Sequence, residues 1–587
     1  MVRVAVIDKK SCRPKDCGHP CRKSCPVVRT GQDAIYFLDE NLPPTIDEAI
    51  CIGCGICVRK CPFNAIYIVN LPDQLEKEAF HRYGQNGFKL YRFPEIKPQS
   101  VNVIIGQNGM GKSTIAKILS GELIPNLGDP NSKPPIEQVI DRLKGTTSSE
   151  ILENIFKKKF TVAFKPQHVE LLPSVFGGSV KEALSKYEGS RYYGEVVNSM
   201  KLSTLFERKL NQLSGGELQK LAIALALLKD TDIIVLDEPA SYLDVLQRLL
   251  VSRLLFSFKD KGKTLIVIEH DLGMIDYLAD YVSIIYGEPG AYGIVSRLLS
   301  ARVGINSYLN GFLKAENTQI RPFEIKFESR PPPEKRDLSV AFKWVKDEFK
   351  LNGFTLTIEG GEAYRGEVIG IVGQNGIGKT TFVKRIVESY FGVESQQISY
   401  KPQLITNLFK GKTVKEVLEE KFGSSNFPSW IETELLKPLR LNKLMERSTE
   451  TLSGGELQAL AVASSLISNS NFYFIDEPCS FLDVEQRVTV QRMIRRLTEI
   501  KAATTFVVEH DILFIDFVSD RLIVVDGEPG VHGYVSSPKS MKDGMNEFLS
   551  KLSITFRRDV DTNRPRINKP GSRTDLEQKQ LGQYYYT

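Results

Sequence analysis

Two stretches of this sequence carry the residue types that hold a phosphate chain. Gly106-Gln-Asn108-Gly109-Met-Gly111-Lys112-Ser113-Thr114 fits G-x4-G-K-[ST], and so does Gly373-Gln-Asn375-Gly376-Ile-Gly378-Lys379-Thr380-Thr381. Glycines let backbone N–H groups close on phosphate oxygens, and the helix that follows turns its positive end to them. Lys112 and Lys379 are expected to reach the β- and γ-oxygens, and Ser113 and Thr380 to offer a hydroxyl to Mg²⁺. Each half also has an apolar run ending in acids, Ile233–Asp237-Glu238 and Phe472–Asp476-Glu477. A buried strand would bring Asp237 or Asp476 towards the metal, leaving Glu238 or Glu477 to polarise the attacking water. A second strand in each half ends in a histidine, His270 or His510.

The other chemistry lies in the cysteines. Eight of the nine fall within the first 61 residues. Cys51, Cys54, Cys57 and Cys61 form C-x2-C-x2-C-x3-C-P, the run that wraps a [4Fe–4S] cluster, and Cys12, Cys17, Cys21 and Cys25 form a looser version. In two-cluster ferredoxins the fourth cysteine of each run ligates the other cluster. That rule assigns Cys12, Cys17, Cys21 and Cys61 to one cluster and Cys51, Cys54, Cys57 and Cys25 to the other. Zinc and disulfides are the alternatives; zinc favours separated pairs, and disulfides need an oxidising compartment that the N-terminal sequence does not announce. Electron transfer and structural stapling both fit such clusters.

The elements that must position these residues form an internal repeat. Val101–Ile105 and Val368–Val372 read as strands leading into the two phosphate loops. Asp237 and Asp476 are 239 residues apart and His270 and His510 are 240 apart, but the loops starting at Gly106 and Gly373 are 267 apart. Gly106 to Gln167 spans 61 residues but Gly373 to Gln403 only 30, so the first half carries an insertion of about 31 residues ahead of Gln167. It reads as a helix–loop–helix, about 134–160, with helical patterns at Ile136–Leu143 and Ile151–Lys159 and a basic tip at Lys157–Lys159. That insertion suits either an RNA surface or a solvated hairpin. Val2–Ile7 and Ala65–Asn70 are short β-like runs flanking the cysteines.

Composition narrows the classes. The 587 residues predict several domains, and 42% hydrophobic with 25% charged residues is ordinary for a globular protein. The apolar run Leu221–Leu228 is far short of the ~20 residues that span a bilayer. The start of the chain has no apolar signal core, so a cytoplasmic location is expected. The net charge of +6 is too small to identify a nucleic-acid partner. The predicted fold class is α/β.

The order of motifs resembles the ABC-type ATPases. Leu213-Ser214-Gly215-Gly216-Glu217 and Leu452-Ser453-Gly454-Gly455-Glu456 match the signature of that class, and Gln167 and Gln403 match its Q-loop. The resemblance implies ATP hydrolysis to ADP and phosphate, with Gln167 and Gln403 joining Ser113 and Thr380 around Mg²⁺. It also implies two composite sites. Lys112, Asp237, Glu238, Gln167 and His270 would work with Ser453 and Gly455, and Lys379, Asp476, Glu477, Gln403 and His510 with Ser214 and Gly216. Tyr83 or Phe88 is expected to stack on one adenine and Phe349 on the other.

A ferredoxin-like head before twin cassettes resembles subfamily E of the ABC proteins, also called RNase L inhibitor. Expected domains are a two-cluster head at 1–72, a first cassette at 73–300, a hinge or linker at 301–337, a second cassette at 338–545 and an Arg-rich hinge segment and tail at 546–587. Arg330–Glu334 reads as a stiff joint, and the C-terminal basic segment as packed between the halves. The resemblance implies ribosome splitting after termination or rescue. ATP-driven closure would move the head against the small subunit. Expected partners are the ribosome, chiefly that subunit, release or rescue factors, and initiation factors. The alternatives are an ATPase subunit of a transporter and an ATP-gated iron–sulfur electron-transfer protein.

Overall fold

The computed structural model describes residues 2–71, 78–326, 339–351, 353–391, 397–406, 408–424, 426–560 and 562–585. The chain folds into two units. The first comprises residues 1–239, 253–270 and 278–323; the second takes 240–252, 271–277 and 324–587. The boundary expected at residue 72 and the joint Arg330–Glu334 lie outside the described residues.

In the first unit Val2–Ile7 pairs antiparallel with Ile66–Leu71 in unbroken register, from Val2 opposite Leu71 to Ile7 opposite Ile66. Alternate residues of this ribbon face two ways. Ala5, Ile7 and Ile66 pack with Cys21, Cys25 and Cys57, while Val4, Val6, Val69 and Leu71 pack with Ala291. One ribbon thereby closes the cysteine-rich head and seats it on the first cassette, as a period of two requires.

The first cassette's sheet runs Ala79–Arg82, Lys89–Tyr91, Tyr292–Val295, Tyr281–Glu288, Val101–Gly106, Thr264–Ile268, Ile233–Asp237, Val162–Lys165. Val101–Gly106, Ile233–Asp237 and Thr264–Ile268 are buried along their whole length and pair in parallel. Strands covered on both faces read as continuous apolar runs, which is why these were visible as runs rather than alternations. The second unit repeats the order with Asp347–Leu351, Phe354–Ile358, His532–Val535, Arg521–Glu528, Val368–Val372, Thr504–Val508, Phe472–Asp476, Ile398–Lys401.

The insertion forms helices Ile136–Asp141 and Thr147–Phe156. Val139, Leu143, Ile151, Leu152 and Ile155 bury against Ile115 and Ile118 of the cassette. The second helix starts four residues earlier than its apolar pattern suggests. Ser148 is pulled into the core, donating to the Pro94 carbonyl and accepting from Ile96 N–H at 2.8 Å each. The basic run is therefore not at the tip, which is Lys144-Gly145-Thr146. Lys157 caps the far end of the second helix and Lys157–Lys159 lead back towards the sheet.

Residues 301–323 are built into the first unit rather than forming a free linker. Ala301–Asn310 is a helix, and buried Arg321 donates to the carbonyls of Tyr308 and Leu309 at 2.8 and 2.7 Å. The C-terminal segment contributes helix Met541–Leu552, the hairpin Phe556–Arg558 with Pro565–Ile567, and helix Arg573–Gln580. Arg564 is fully buried in the second unit and grips Asp276 with both terminal nitrogens.

Candidate nucleotide and cluster sites

Each phosphate loop follows a central strand and ends where a helix begins, at Lys112–Leu119 and Lys379–Ile386. Gly111 and Gly378 have φ of 92° and 99°, and a side chain there would collide with rings or methyls 2.6 and 2.7 Å away. Only glycine meets both conditions. Lys112 Nζ donates to the carbonyls of Gly106 and Gln107 at 2.9 and 2.8 Å, and Lys379 Nζ to those of Gly373 and Gln374 at 3.0 and 2.5 Å. Both ammonium groups are held over the loop mouth. Burial pulls Lys379 down to about 8, against the pull of Glu477 and Asp244.

The acids converge on the same place. Ser113 Oγ lies 3.3 Å from Asp237 Oδ2, and Thr380 Oγ1 2.6 Å from Asp476 Oδ2. Burial raises both aspartates to about 6; the charge of Glu238 adds to this in the first cassette and that of Glu477 in the second. Buried carboxylates beside a hydroxyl and a phosphate loop suit a hard divalent cation. Gln167 Nε2 donates to Glu238 Oε1 at 2.8 Å, and Gln403 Nε2 to Glu477 Oε1 at 2.6 Å. The histidines approach the same oxygens, with His270 Nε2 3.7 Å from Glu238 Oε1 and His510 Nε2 3.3 Å from Glu477 Oε1.

Glu238 and Glu477 both adopt φ of 48°, a left-handed conformation that a glutamate rarely takes. Side chains overlooked in the sequence hold it. Lys165 Nζ donates to the carbonyl of Asp237 at 2.7 Å, and Gln219 Nε2 to that of Glu238 at 2.7 Å. Lys401 and Gln458 do the same for Asp476 and Glu477 at 2.6 and 2.7 Å. Their signal was position, since each lysine is two residues before the Q-loop glutamine and each Gln is two after the signature glutamate.

Ser214 and Ser453 are exposed N-caps of helices Gly215–Leu227 and Gly454–Ile467, with reciprocal bonds to Glu217 and Glu456. The hydrogen bonds of Ser214 run to Glu217 and none reaches its own cassette's phosphate loop. Within the second unit, Asp244 Oδ2 accepts from the N–H of Asn375, a phosphate-loop residue, at 2.9 Å.

The aromatics divide. Phe88 lies against Gly111 and Tyr83 is 43% exposed on the same hairpin. Phe349 packs beneath Arg385, whose guanidinium is 5.0 Å from the ring, and Phe354 lies beside Gly378, its ring 3.0 Å from where a side-chain Cβ on that glycine would stand. Strand pairing gives the counterparts. Leu90 lies opposite Gly293 as Leu356 lies opposite Gly533, so Phe354 is the counterpart of Phe88 and Phe349 that of His81.

Cysteines of the two runs lie close to one another. The Cys12 thiol is pushed up to about 12 by burial and then by Cys61, Cys21 and Cys17, and Cys57 to about 12 by burial and then by Cys51 and Cys54. Cys25, Cys51, Cys54 and Cys57 line one small void. Backbone N–H groups of Ala5 and Ala65 point at Cys51 and Cys61 sulfurs at 3.5 and 3.4 Å. Thiols packed this closely ionise together only around cationic metal, so the donor set fits iron–sulfur ligation.

Comparison with known proteins agrees with this geometry. The ABC transporter family model matches residues 94–241 and 358–480, a 4Fe-4S binding domain matches 44–67, and a possible Fer4-like domain in RNase L inhibitor matches 2–33. ABC transporter E family member 1 of Arabidopsis thaliana is 41% identical over 100% of this chain and 99% of its own length. The chain belongs to subfamily E of the ABC proteins, the RNase L inhibitor family. An uncharacterised ABC transporter ATP-binding protein of Methanocaldococcus jannaschii is 46% identical over 100% of this chain and 98% of its own. Among solved structures, ABCE1 in a model of ribosome-bound archaeal Pelota and ABCE1 is 47% identical with a TM-score of 0.91, covering 100% of this chain and 99% of that one. A crystal structure of archaeal ribosomal stalk protein aP1 with the ribosome recycling factor aABCE1 gives 45% identity and a TM-score of 0.82, covering 88% of this chain and 100% of that one. This subfamily E chain is thus an ATPase that binds nucleotide and 4Fe-4S. Among its described residues no helix is long and apolar enough to cross a membrane.

Proposed function

We propose that this chain is an ATP-driven ribosome recycling factor that splits ribosomes into subunits in the cytoplasm and stays on the small subunit. The observation that carries the reading is the end-to-end likeness, head and both cassettes together, to ABCE1 bound on the ribosome. Rescue or release factors and the ribosomal stalk are the partners that the same likeness suggests.

The site residues take the following roles. Lys112 and Lys379 hold the β- and γ-phosphates. Asp237 with Ser113 and Gln167, and Asp476 with Thr380 and Gln403, hold Mg²⁺, which when bound neutralises phosphate charge. Glu238 and Glu477, oriented by His270 and His510, position the attacking water. Ser214 and Ser453, already shaped as exposed caps, complete the site of the opposite cassette when ATP is bound. ATP then favours the closed form through contacts that ADP lacks, and that difference in affinity is what does mechanical work. In the head, Cys12, Cys17, Cys21 and Cys61 hold one [4Fe–4S] cluster and Cys51, Cys54, Cys57 and Cys25 the other; the clusters supply rigid cross-links between the two runs.

The test is sedimentation of the Glu238→Gln, Glu477→Gln protein with ribosomes and ATP on a sucrose gradient. The protein should travel with the small subunit. Protein remaining at the top of the gradient overturns the reading.

A further inference from the structure

The turn that carries the first cassette's aromatics is held by the cysteine-rich head. Arg82 pairs with Lys89, and Tyr83 N–H donates to the Phe88 carbonyl at 3.0 Å, so the turn is Gly84-Gln85-Asn86-Gly87. Asn86 is 6% exposed and bridges to the head's first strand, donating to the Ala5 carbonyl at 3.1 Å and accepting from Ile7 N–H at 3.3 Å. Gln85 accepts from the Tyr36 hydroxyl. Glu48 of the head joins both hairpin strands, 3.0 Å from Arg82 and 2.7 Å from the buried ammonium of Lys89.

The second cassette has no head and a shorter turn. Leu351 pairs directly with Phe354, leaving two residues between them where the first cassette has four. Phe354 still reaches Gly378. The two added residues are therefore not needed to bring an aromatic to the phosphate loop. They are present where the head is, and Gln85 and Asn86 of that longer turn are the residues it holds.

We infer that the head positions the Tyr83–Phe88 hairpin and thereby sets the adenine affinity of the first nucleotide site, with Asn86 and Glu48 as positioning residues. This rests on the reading of Lys112 as a nucleotide site. Neither residue meets the nucleotide; each fixes where the two rings stand. Because such coupling is reciprocal, adenine nucleotide in the first site holds the head in its docked position by the same factor.

The test uses cluster-loaded full-length protein carrying Lys379→Met, so that calorimetry reads the first site. ADP and inorganic tripolyphosphate are titrated into this protein with and without Asn86→Ala. Tripolyphosphate touches the loop but has no base. Asn86→Ala is expected to weaken ADP about 5- to 50-fold, in the range of site–site couplings, and to leave tripolyphosphate unchanged. Equal ADP affinity with and without Asn86→Ala overturns the inference, as does parallel loss of both ligands. Absence of ADP binding in the parent protein would instead sink the nucleotide-site reading beneath it. If Asn86→Ala does not load its clusters, Tyr36→Phe, which removes only the hydroxyl that meets Gln85, is read in the same two titrations.

Discussion

His510 Nε2 lies 3.3 Å from Glu477 Oε1, the histidine buried and the carboxylate half-buried. Burial alone would raise this carboxyl. The His510 imidazole and then the charges of Lys379 and Lys401 outweigh it and hold Glu477 down at about 2. A group proposed to orient water is thereby kept anionic. His510→Ala removes the counterweight, so burial then acts unopposed by the imidazole. Hydrolysis at the second site should fall by about 10²- to 10⁴-fold with ATP binding little changed. Single-turnover hydrolysis in a Glu238→Gln background measures it, and undiminished turnover would discard the assignment.

The aspartates set a pH dependence for metal binding. Asp237 and Asp476 sit at about 6, above the ordinary 3.8. A raised carboxylate holds its proton up to that pH, and Mg²⁺ needs the deprotonated form. Metal binding must then displace a proton below pH 6 but not above pH 7. The Mg²⁺-dependent part of ADP affinity should be flat above pH 7 and fall towards tenfold per unit below 6. Calorimetry with Mg²⁺ and with EDTA between pH 5.5 and 7.5 separates that part from phosphate binding. A flat profile over the whole range would contradict the raised values.

The crossed cysteine assignment has a signature in iron counts. Cys25→Ser should take the iron content from about eight to about four per chain. Adding Cys51→Ser should remove no more, because both residues serve one cluster. A fall to near zero in the double variant would mean that each run binds its own cluster.

The second adenine site should depend on Phe354 and not on Phe349. Loss of one stacking ring costs about 1–3 kcal/mol. Phe354→Ala is expected to weaken ADP at the second site accordingly in a Lys112→Met background. Phe349→Ala, which loses the stack on Arg385, should leave that affinity within about twofold, as a change remote from the ligand does. Equal losses from both variants would return Phe349 to the site.

Much of the molecule was legible from spacing. A phosphate loop is a continuous run whose backbone does the binding, so its residues announce themselves together. The same holds for Cys51–Cys61 and for the buried strands before Asp237 and Asp476, whose two covered faces leave unbroken apolar runs. The insertion was visible as a break in the 240-residue pitch, but its second helix began early because Ser148 found buried partners on Pro94 and Ile96 that no periodicity records. Phe354 takes precedence over Phe349 because hairpin register sets Phe349 opposite Leu356, on the same face as Phe354 but further from the turn. Lys165 and Gln219 were passed over because each acts on a carbonyl some 19 to 72 residues away.

By itself the sequence determined the α/β class, the duplication, the iron–sulfur head and the residues proposed to meet phosphate and metal, since those chemistries rest on local runs of the chain. Tertiary structure decided which aromatic faces each phosphate loop, what holds Glu238 and Glu477 in their left-handed turn, and that Asn86 and Glu48 tie the head to the first hairpin. Those contacts join elements remote in sequence, and their energy depends on register and burial, which a chain acquires only when its strands are paired.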